Sequence, residues 1–300
     1  MIPVKIIATG TALPAEKVYS SDIDLQQGKA AGSTEKRSGI IYRHFAGYQD
    51  SHAALAAAAL ENALAEADIA PDTVDFLIYA SAIPIQALPN SAAYVLKASS
   101  LSDGIACMDV NTSCLSFLSA FQAAAGFLNT GTYRRIAIVS ADLPSRGINW
   151  DEEESSIIFG DGAACAIVEK GDGNSGIAAF RLETYTDGSE FCQVRAGGTR
   201  CNPRSGYADS DFLFRMDGKR VFRMASEHMQ RFVERLFEGS SLGLQDMNAV
   251  IPHQASLLGM EHMRKRLGIA ADKFINIYST HGNQVAASIP TALHYARAAG

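Results

Sequence analysis

The sequence has little that would point to a membrane, secreted or nucleic-acid-binding protein. Its five cysteines are far apart and include no Cys-x-x-Cys pair, so neither a disulfide framework nor a zinc site is indicated. The longest apolar run, residues 53–60, is too short to cross a bilayer, and the N-terminus lacks the pattern of a signal peptide. Acidic residues outnumber basic ones, 32 to 26, which disfavours nucleic acid as the main partner. We therefore expect a cytoplasmic protein with free thiols that binds neither membranes nor nucleic acid.

Short apolar segments alternate with longer amphipathic or alanine-rich segments along the chain. In the first half the pattern predicts strands at residues 4–8, 75–81, 104–110, 135–141 and 163–169, and helices at residues 52–67 and 113–129. In the second half it predicts strands at residues 177–184, 249–252 and 274–278, and helices at residues 216–237, 257–267 and 285–298. Strands that alternate with helices indicate an α/β protein whose sheet is covered on both faces.

The two halves of the chain have a similar order of elements. In each half a strand leads through a polar turn into a helix of small residues, in MDVNTSCLSFLSAFQ and in INIYSTHGNQVAASIP. This predicts two fused copies of one α/β unit, at residues 1–170 and 171–300. The first copy continues past its helix with two strands, whereas the second reaches Gly300 at the end of the matching helix. By this comparison we expect the second half to lack its last two strands in this chain.

Cys114 lies where a predicted strand passes into a predicted helix. A thiol at the start of a helix is near the positive end of the helix dipole and near free backbone N–H groups, and both favour the nucleophilic thiolate. The alternative is a small buried side chain in an alanine-rich helix. The position at the turn makes Cys114 a candidate nucleophile.

His253 and Asn283 also follow predicted strands. His253 comes directly after a proline at a strand end, where it is either a residue of a cleft or a hydrogen-bonded core histidine. Asn283 follows a glycine and begins a helix, where its alternative role is that of an N-cap. Neither residue decides the function by itself.

Taken together, four segments resemble the signature segments of the β-ketoacyl-acyl-carrier-protein synthase III family. They are DVNTSCLSFLSAF, IIFGDGAACAIV, VIPHQASL and THGNQVAASIPTAL, in the order and at the spacing of that family. The resemblance extends from the opening IIATGTALP to the last helix. It implies the thiolase-like five-layered αβαβα fold, and a homodimer. The FGDGAA run lacks the third glycine of a dinucleotide fingerprint and precedes a strand, so we interpret it as a packing turn.

The resemblance implies a decarboxylative Claisen condensation, as in fatty-acid, specialised or biotin-precursor biosynthesis. An acyl primer would be transferred from coenzyme A to Cys114, and a malonyl group on acyl carrier protein would lose carbon dioxide and attack the acyl-cysteine. His253 Nε2 and the Asn283 amide would donate to the oxygen of the enolate. The residues 1–170 would carry the nucleophile and the residues 171–300 the two donors. Acyl-CoA and malonyl-acyl carrier protein are substrates in this scheme, which implies no cofactor and no metal.

Other positions acquire candidate roles from the same resemblance. Arg37 matches an arginine that contacts acyl-CoA, Leu88 in residues 83–89 lies in the primer-pocket wall contributed across the dimer, and Arg146 is a candidate partner for the far end of a dicarboxylic primer. Arg146 is otherwise a surface arginine. Two basic clusters match the surface that docks the acidic carrier protein, and their alternative role is that of solvated helix faces. The clusters are Lys219, Arg220 and Arg223, and Arg264, Lys265 and Arg266.

The chain departs from the family at the nucleotide site. Residues 30–40 lack the tryptophan that stacks on adenine, Glu153 replaces an arginine, and Leu258 stands where arginine is frequent. The acyl donor is therefore either a carrier protein or coenzyme A held differently. In the family, the two strands not found here bring a glycine-rich loop that completes the oxyanion hole. Either this chain is truncated, or this homologue acts without that loop.

Two other classes of function fit part of the pattern. An acyltransferase acting on an alcohol or amine would use Cys114 without malonyl decarboxylation, but it would not need the pair of His253 and Asn283. A non-catalytic partner subunit of a condensing-enzyme heterodimer would usually have lost these residues. A serine hydrolase is disfavoured because the chain contains no Gly-x-Ser-x-Gly. The three residues together favour condensation.

Overall fold

The predicted strands of the first half form a five-stranded mixed sheet in the computed structural model, which describes residues 1–300. The strands of the chain are β1 (Ile2–Pro3), β2 (Lys5–Ala12), β3 (Glu16–Tyr19), β4 (Tyr42–Phe45), β5 (Phe76–Ala80), β6 (Ala106–Val110), β7 (Arg135–Asp142), β8 (Gly162–Glu169), β9 (Gly176–Ile177), β10 (Cys192–Gln193) and β11 (Arg215–Met216). The helices are α1 (Ser20–Gln26), α2 (Ser33–Ser38), α3 (His52–Glu66), α4 (Ser91–Ala98), α5 (Ser116–Thr130), α6 (Gly218–Leu236), α7 (Leu257–Arg266), α8 (Tyr278–His281) and α9 (Ser288–Ala299).

The strand order of the sheet is β2-β8-β7-β5-β6. Strands β7, β5 and β6 are parallel, and β8 is antiparallel to β2 and β7. Strand β5 and nearly all of β7 and β8 are buried. This burial explains their almost continuous apolar sequence, because both faces of a central strand must be covered.

Alternate residues of the sheet belong to two separate apolar clusters. Leu77 and Tyr79 face a cluster that includes alanines of α3 and α4, whereas Phe76 and Ile78 face a cluster that includes residues of α5 and α9. Small residues let α3 pack closely against β2. A Cβ at Gly10 of β2 would lie only 2.4 Å from the Ala59 carbonyl oxygen of α3. Helix, sheet and helix layers are thus formed by the first half together with the last helix of the second.

The strands predicted in the second half do not form a sheet. Residues 177–184 contribute only to β9, which pairs with β1. Residues 249–252 and 274–278 meet in one parallel bridge between Val250 and Phe274, and Tyr278 already begins α8. A strand requires neighbours that pair with its backbone, and these segments have no further strand beside them. The prediction of three strands is therefore wrong here, and the second sheet layer is reduced to this bridge.

The helices predicted in the second half are present with small changes in their bounds. They form α6, α7 and α9, of which α9 begins at Ser288 after a 3₁₀ turn at Val285–Ala287. In the first half, α5 begins at Ser116, three residues later than predicted. No helix combines the length and the apolar character needed to cross a membrane.

Two glycine-containing turns lock the halves together. Asn283 N donates to Ile158 O at 2.8 Å, and Gly160 N donates to Asn283 O at 3.2 Å. A Cβ at Gly160 would lie 2.0 Å from the His281 carbonyl oxygen, so only glycine allows the two backbones to approach this closely. The FGDGAA run therefore forms a packing turn, as the sequence indicated.

We expect Gly160→Ala to destabilise the protein strongly, because its Cβ would overlap the His281 backbone. The matched control is Gly126→Ala in α5, where a Cβ meets nothing within 4 Å. The control should gain up to about 1 kcal/mol, since alanine is the better helix former. Urea unfolding of both variants measures the difference. Equal stabilities would contradict the close approach of the two turns.

Candidate active site

Cys114 lies in a strained turn between β6 and α5, two residues before the helix begins. The preceding residue, Ser113, has φ of +56°, a conformation that residues other than glycine seldom adopt. Side chains hold the turn: Asn111 Oδ1 accepts from Ser113 N at 2.9 Å, and Ser116 Oγ donates to Ser113 O at 2.6 Å. The nucleophile candidate is therefore fixed by its own turn.

The environment of Cys114 does not favour the thiolate. Burial and the neighbouring carboxyl of Asp142 raise the pKa of the Cys114 thiol to about 11. The expectation that the start of a helix would lower this pKa is wrong, because Cys114 lies outside α5 and the loss of water dominates. The resting thiol is protonated at neutral pH.

Asn283 is held so that its amide nitrogen is free. The side chain is buried, and its Oδ1 accepts from Val285 N at 2.9 Å. The oxygen therefore accepts from the first residue of the following 3₁₀ turn, whose N-cap is Gln284 and not Asn283 as the N-cap interpretation implied, while the Nδ2 hydrogens remain available to a ligand. Val285 has φ of +52°, which is unusual for a β-branched residue and marks a second strained position beside the site.

One apolar cluster brings the Cys114 and Asn283 turns together. Its buried members are Ile148, Phe159 and Val285, and Cys114 packs against it. Phe159 forms a backbone bridge with Asn283, and Val285 follows Asn283 by two residues. The cluster thus joins the turn of the thiol to the turn of the amide.

His253 is a neutral imidazole with one open nitrogen. Burial lowers the pKa of His253 to about 4. Nδ1 is buried and has no hydrogen-bond partner. If Nδ1 carried the proton, a buried N–H donor would have no acceptor. The tautomer with the proton on Nε2 is therefore favoured. Ile251, two residues earlier, packs against the apolar cluster that contains Phe117 of α5 and Ile289 of α9. The segment of His253 therefore lies against the two helices that follow the Cys114 and Asn283 turns.

Gln254 is a positioning element that the sequence analysis missed. It is fully buried, and its Nε2 donates to Pro252 O at 2.9 Å and to Ile275 O at 3.2 Å. Its Oε1 accepts from Ile277 N at 2.9 Å. The Gln254 side chain thus supplies hydrogen bonds between its own segment and residues 275–277, which in a sheet would come from paired strands. The sequence feature that could have revealed Gln254 is a polar residue directly after His253, within an apolar segment.

The arginine assigned to acyl-CoA is already paired within the chain. Arg37 Nη1 lies 2.5 Å from Glu153 Oε2, and Lys29 Nζ lies 3.7 Å from Glu153 Oε1. Hydrogen bonding and charge from Arg37 lower the pKa of Glu153. Glu153, which stands where the family has an arginine, therefore neutralises the charge of Arg37.

The two primer candidates lie on the surface of the single chain. Arg146 is exposed, and its Nη2 donates to Asp50 O at 2.6 Å, a contact that favours the surface-arginine interpretation. Leu88 is 81% exposed. Their roles toward the primer stay predictions.

The two basic clusters lie on neighbouring helices but are not equivalent. Lys219, Arg223 and Arg266 line one groove of about 460 Å³ between α6 and α7. Arg264 instead pairs with Glu261 at 3.0 Å, and Arg220 stacks on Phe191 at 4.4 Å. Lys265 is exposed and is not among the residues that line the groove. No group of three His, Cys, Asp or Glu side chains is arranged to hold a metal ion.

Comparisons with known proteins give the family. The family model described as 3-oxoacyl-[acyl-carrier-protein (ACP)] synthase III matches residues 108–188, and its C-terminal counterpart matches residues 237–300. The β-ketoacyl-[acyl-carrier-protein] synthase III of Clostridium acetobutylicum is 30% identical over 296 residues, which are 98% of this chain and 89% of that protein. The chain belongs to the β-ketoacyl-acyl-carrier-protein synthase III family. A synthase III of Thiobacillus denitrificans is 31% identical over 288 residues, or 96% and 88% of the two chains.

Solved structures of the synthase III family confirm the thiolase-like fold. The enzyme of Aquifex aeolicus superposes with a TM-score of 0.86 at 27% identity, over 99% of this chain and 91% of that one. The enzyme of Thermus thermophilus gives 0.88 at 26% identity, over 98% and 90%. OleA of Xanthomonas campestris, at 18% identity and a TM-score of 0.84, over 99% and 91%, shares the fold alone.

We expect alkylation of Cys114 by iodoacetamide to rise about tenfold per pH unit between pH 7 and 9.5, without a plateau. A pKa of about 11 leaves the thiolate a minor form throughout this range, and the thiolate is the form that reacts. Peptide mass spectrometry distinguishes Cys114 from the exposed Cys192. A plateau near pH 8 would instead indicate an activated thiolate and contradict the effect of burial.

Proposed function

We propose that this chain condenses an acyl primer, carried on Cys114, with malonyl-acyl carrier protein to give a β-ketoacyl-acyl carrier protein. The observation that carries the proposal is the apolar cluster on which the Cys114 and Asn283 turns meet, in a chain that belongs to the synthase III family. The half of residues 1–170 supplies the nucleophile, and the half of residues 171–300 supplies His253 and Asn283.

The first step is acyl transfer. Sulfur of Cys114 attacks the thioester carbonyl, a new C–S bond forms, and the thiol of the donor leaves with the proton that Cys114 releases. Because the thiol of Cys114 is protonated at neutral pH, this proton must move during the transfer. The apolar residues that Cys114 packs against shield one side of the acyl-cysteine from water.

The second step is decarboxylation and carbon–carbon bond formation. Loss of carbon dioxide from the malonyl group places negative charge on the thioester oxygen, and the carbanion then attacks the acyl carbon on Cys114. The bond between that carbon and the Cys114 sulfur breaks as the new carbon–carbon bond forms, and Cys114 leaves as a thiolate that takes up a proton. His253 Nε2–H and Asn283 Nδ2–H donate to that oxygen. Both are suited to the role, because the neutral imidazole keeps a single accessible N–H and the amide oxygen of Asn283 is occupied by Val285.

The acyl donor is an acyl carrier protein, or coenzyme A bound in a different way from other members of the family. The ion pair of Arg37 with Glu153 supports this, since it neutralises a charge that would otherwise attract a nucleotide phosphate. The groove of Lys219, Arg223 and Arg266 is the docking surface for the acidic carrier protein. All five cysteines are free, which fits a cytoplasmic location.

A homodimer completes the sheet in this proposal. Strand β6 pairs with β5 on one side only, and its residues are half-buried or exposed, whereas those of β5 are all buried. An open edge of this kind is a template for pairing with a strand of another chain. Leu88 and the exposed segment around it would then reach the primer pocket of the second copy.

The decisive test is intact-protein mass spectrometry after incubation with acyl-CoA and acyl-carrier-protein thioesters. We expect an acyl adduct on the wild type that Cys114→Ala lacks and that malonyl-acyl carrier protein discharges. His253→Ala and Asn283→Ala should still form the adduct, but its discharge should fall by about two to three powers of ten, the effect of losing an oxyanion donor.

The other outcomes separate the alternatives. An adduct that only an alcohol or amine discharges would identify a different acyltransferase. A folded chain that forms no adduct with any donor would overturn the enzyme assignment in favour of a non-catalytic partner subunit.

Charge reversal in the groove tests the docking surface. We expect Lys219→Glu with Arg223→Glu to raise the KM for malonyl-acyl carrier protein at least about tenfold and to leave alkylation of Cys114 unchanged, because rim charges act on encounter. The matched control is Lys170→Glu, an exposed lysine at the end of β8 outside the groove. Equal KM values for both variants would show that the carrier protein binds elsewhere.

A further inference from the structure

Asp142, at the end of β7, is a buried carboxylate without a cationic partner. Its residue is fully buried, and no lysine, arginine or histidine forms an ion pair with it. A buried carboxylate of this kind costs considerable free energy unless hydrogen bonds compensate for the lost water. The hydrogen bonds that Asp142 accepts must therefore compensate for its burial, and their donors show which segments Asp142 holds.

One set of these hydrogen bonds leads to the nucleophile. Asp142 Oδ1 accepts from Ile83 N at 2.8 Å and from Ser81 Oγ at 2.7 Å. The same segment accepts a hydrogen bond from the Cys114 turn, since Asn111 Nδ2 donates to Ala82 O at 3.0 Å. The turn of Cys114 is therefore two hydrogen bonds away from Asp142.

The other oxygen leads to Asn283. Asp142 Oδ2 accepts from Ala286 N at 2.9 Å, in the 3₁₀ turn that follows Asn283. The neighbouring Val285 N donates to Asn283 Oδ1 at 2.9 Å. The amide that is free to donate to substrate is thus oriented by a turn that Asp142 holds.

We infer that Asp142 is a positioning residue for the condensation, and that its two oxygens fix the Cys114 turn and the Asn283 turn relative to each other. The inference rests on the proposed function for its meaning in catalysis. The geometry itself is independent of that function, since the hydrogen bonds of one carboxyl group reach residues 81–83, which follow β5, and Ala286 in the second half.

The charge of Asp142 also affects the nucleophile. Burial raises the pKa of Asp142 to about 7, and its charge is a cause of the raised pKa of Cys114. The other titratable groups near it are Tyr79 on β5 and, through the shared Ala141 carbonyl oxygen, His52 on α3. A neutral group in place of Asp142 would therefore make the thiol more acidic while it loosens one of the two turns.

Asp142→Asn separates these effects. The amide keeps the size and one acceptor, but its NH₂ group faces a backbone N–H on one side, so one tether is lost. At pH 8 we expect Cys114 to be alkylated several-fold faster, about tenfold for each unit of pKa lowered. Discharge of the acyl-cysteine by malonyl-acyl carrier protein should fall about a hundredfold, the usual effect of a displacement near 1 Å.

The matched control is Asp161→Asn. Asp161 is also fully buried without an ion pair, and its side chain accepts from Ser145 N at 2.9 Å and Ala46 N at 2.8 Å, which belong to neither turn. Its one contact with the Asn283 turn is through its backbone oxygen, which accepts from Gln284 Nε2 and is retained in the variant. We expect a similar loss of thermal stability and an unchanged alkylation profile. An Asp142 variant that behaves like this control in both readouts would overturn the inference.

A second variant covers the case in which Asp142→Asn does not fold. Ser81→Ala removes one donor to Asp142 and disfavours its ionised form, so alkylation should rise in the same direction by a smaller factor. No change in alkylation would then count against the inference. Failure of the proposed function is separable, because it would remove the acyl adduct from the wild type and leave the alkylation comparison intact.

Discussion

The backbone bridge between Phe159 and Asn283 is the contact on which the candidate site depends. It joins a half with a buried five-stranded sheet to a half without one, and Gly160 and Gly282 are the residues that make the approach possible. A bridge of two hydrogen bonds is a small contact energetically. Its importance is geometric, because it determines where the amide of Asn283 lies relative to the first half.

The sequence predicted the first half of the fold well, for a physical reason. Strands such as β5 and β7 are buried on both faces, so their sequences are apolar throughout and end at polar turns. The predictions at residues 249–252 and 274–278 used the same signal and were wrong as strands. An apolar segment becomes a strand only when a neighbour pairs with it, and that condition depends on residues far away in the chain.

The three candidate residues Cys114, His253 and Asn283 were proposed from sequence, but their electrostatics could not be. Position at a turn suggested a thiolate for Cys114, whereas its pKa depends on burial and on Asp142, which is 28 positions away in the chain. Gln254 and Asp142 were missed because their importance lies in contacts with backbone groups that no local pattern reveals. The pairing of Arg37 with Glu153 is similar, since the residue that departs from the family pattern, Glu153, forms an ion pair with the arginine that matches it.

The single bridge at Val250 gives the two sides of the site different mechanical properties. Cys114 follows a strand of a continuous ladder, so moving it would require several hydrogen bonds to break together. His253 follows one bridge and one glutamine clamp, and such a segment opens locally at much lower free energy than a sheet core. The thiol is thereby on the more firmly held side of the candidate site, and the imidazole is on the less firmly held side.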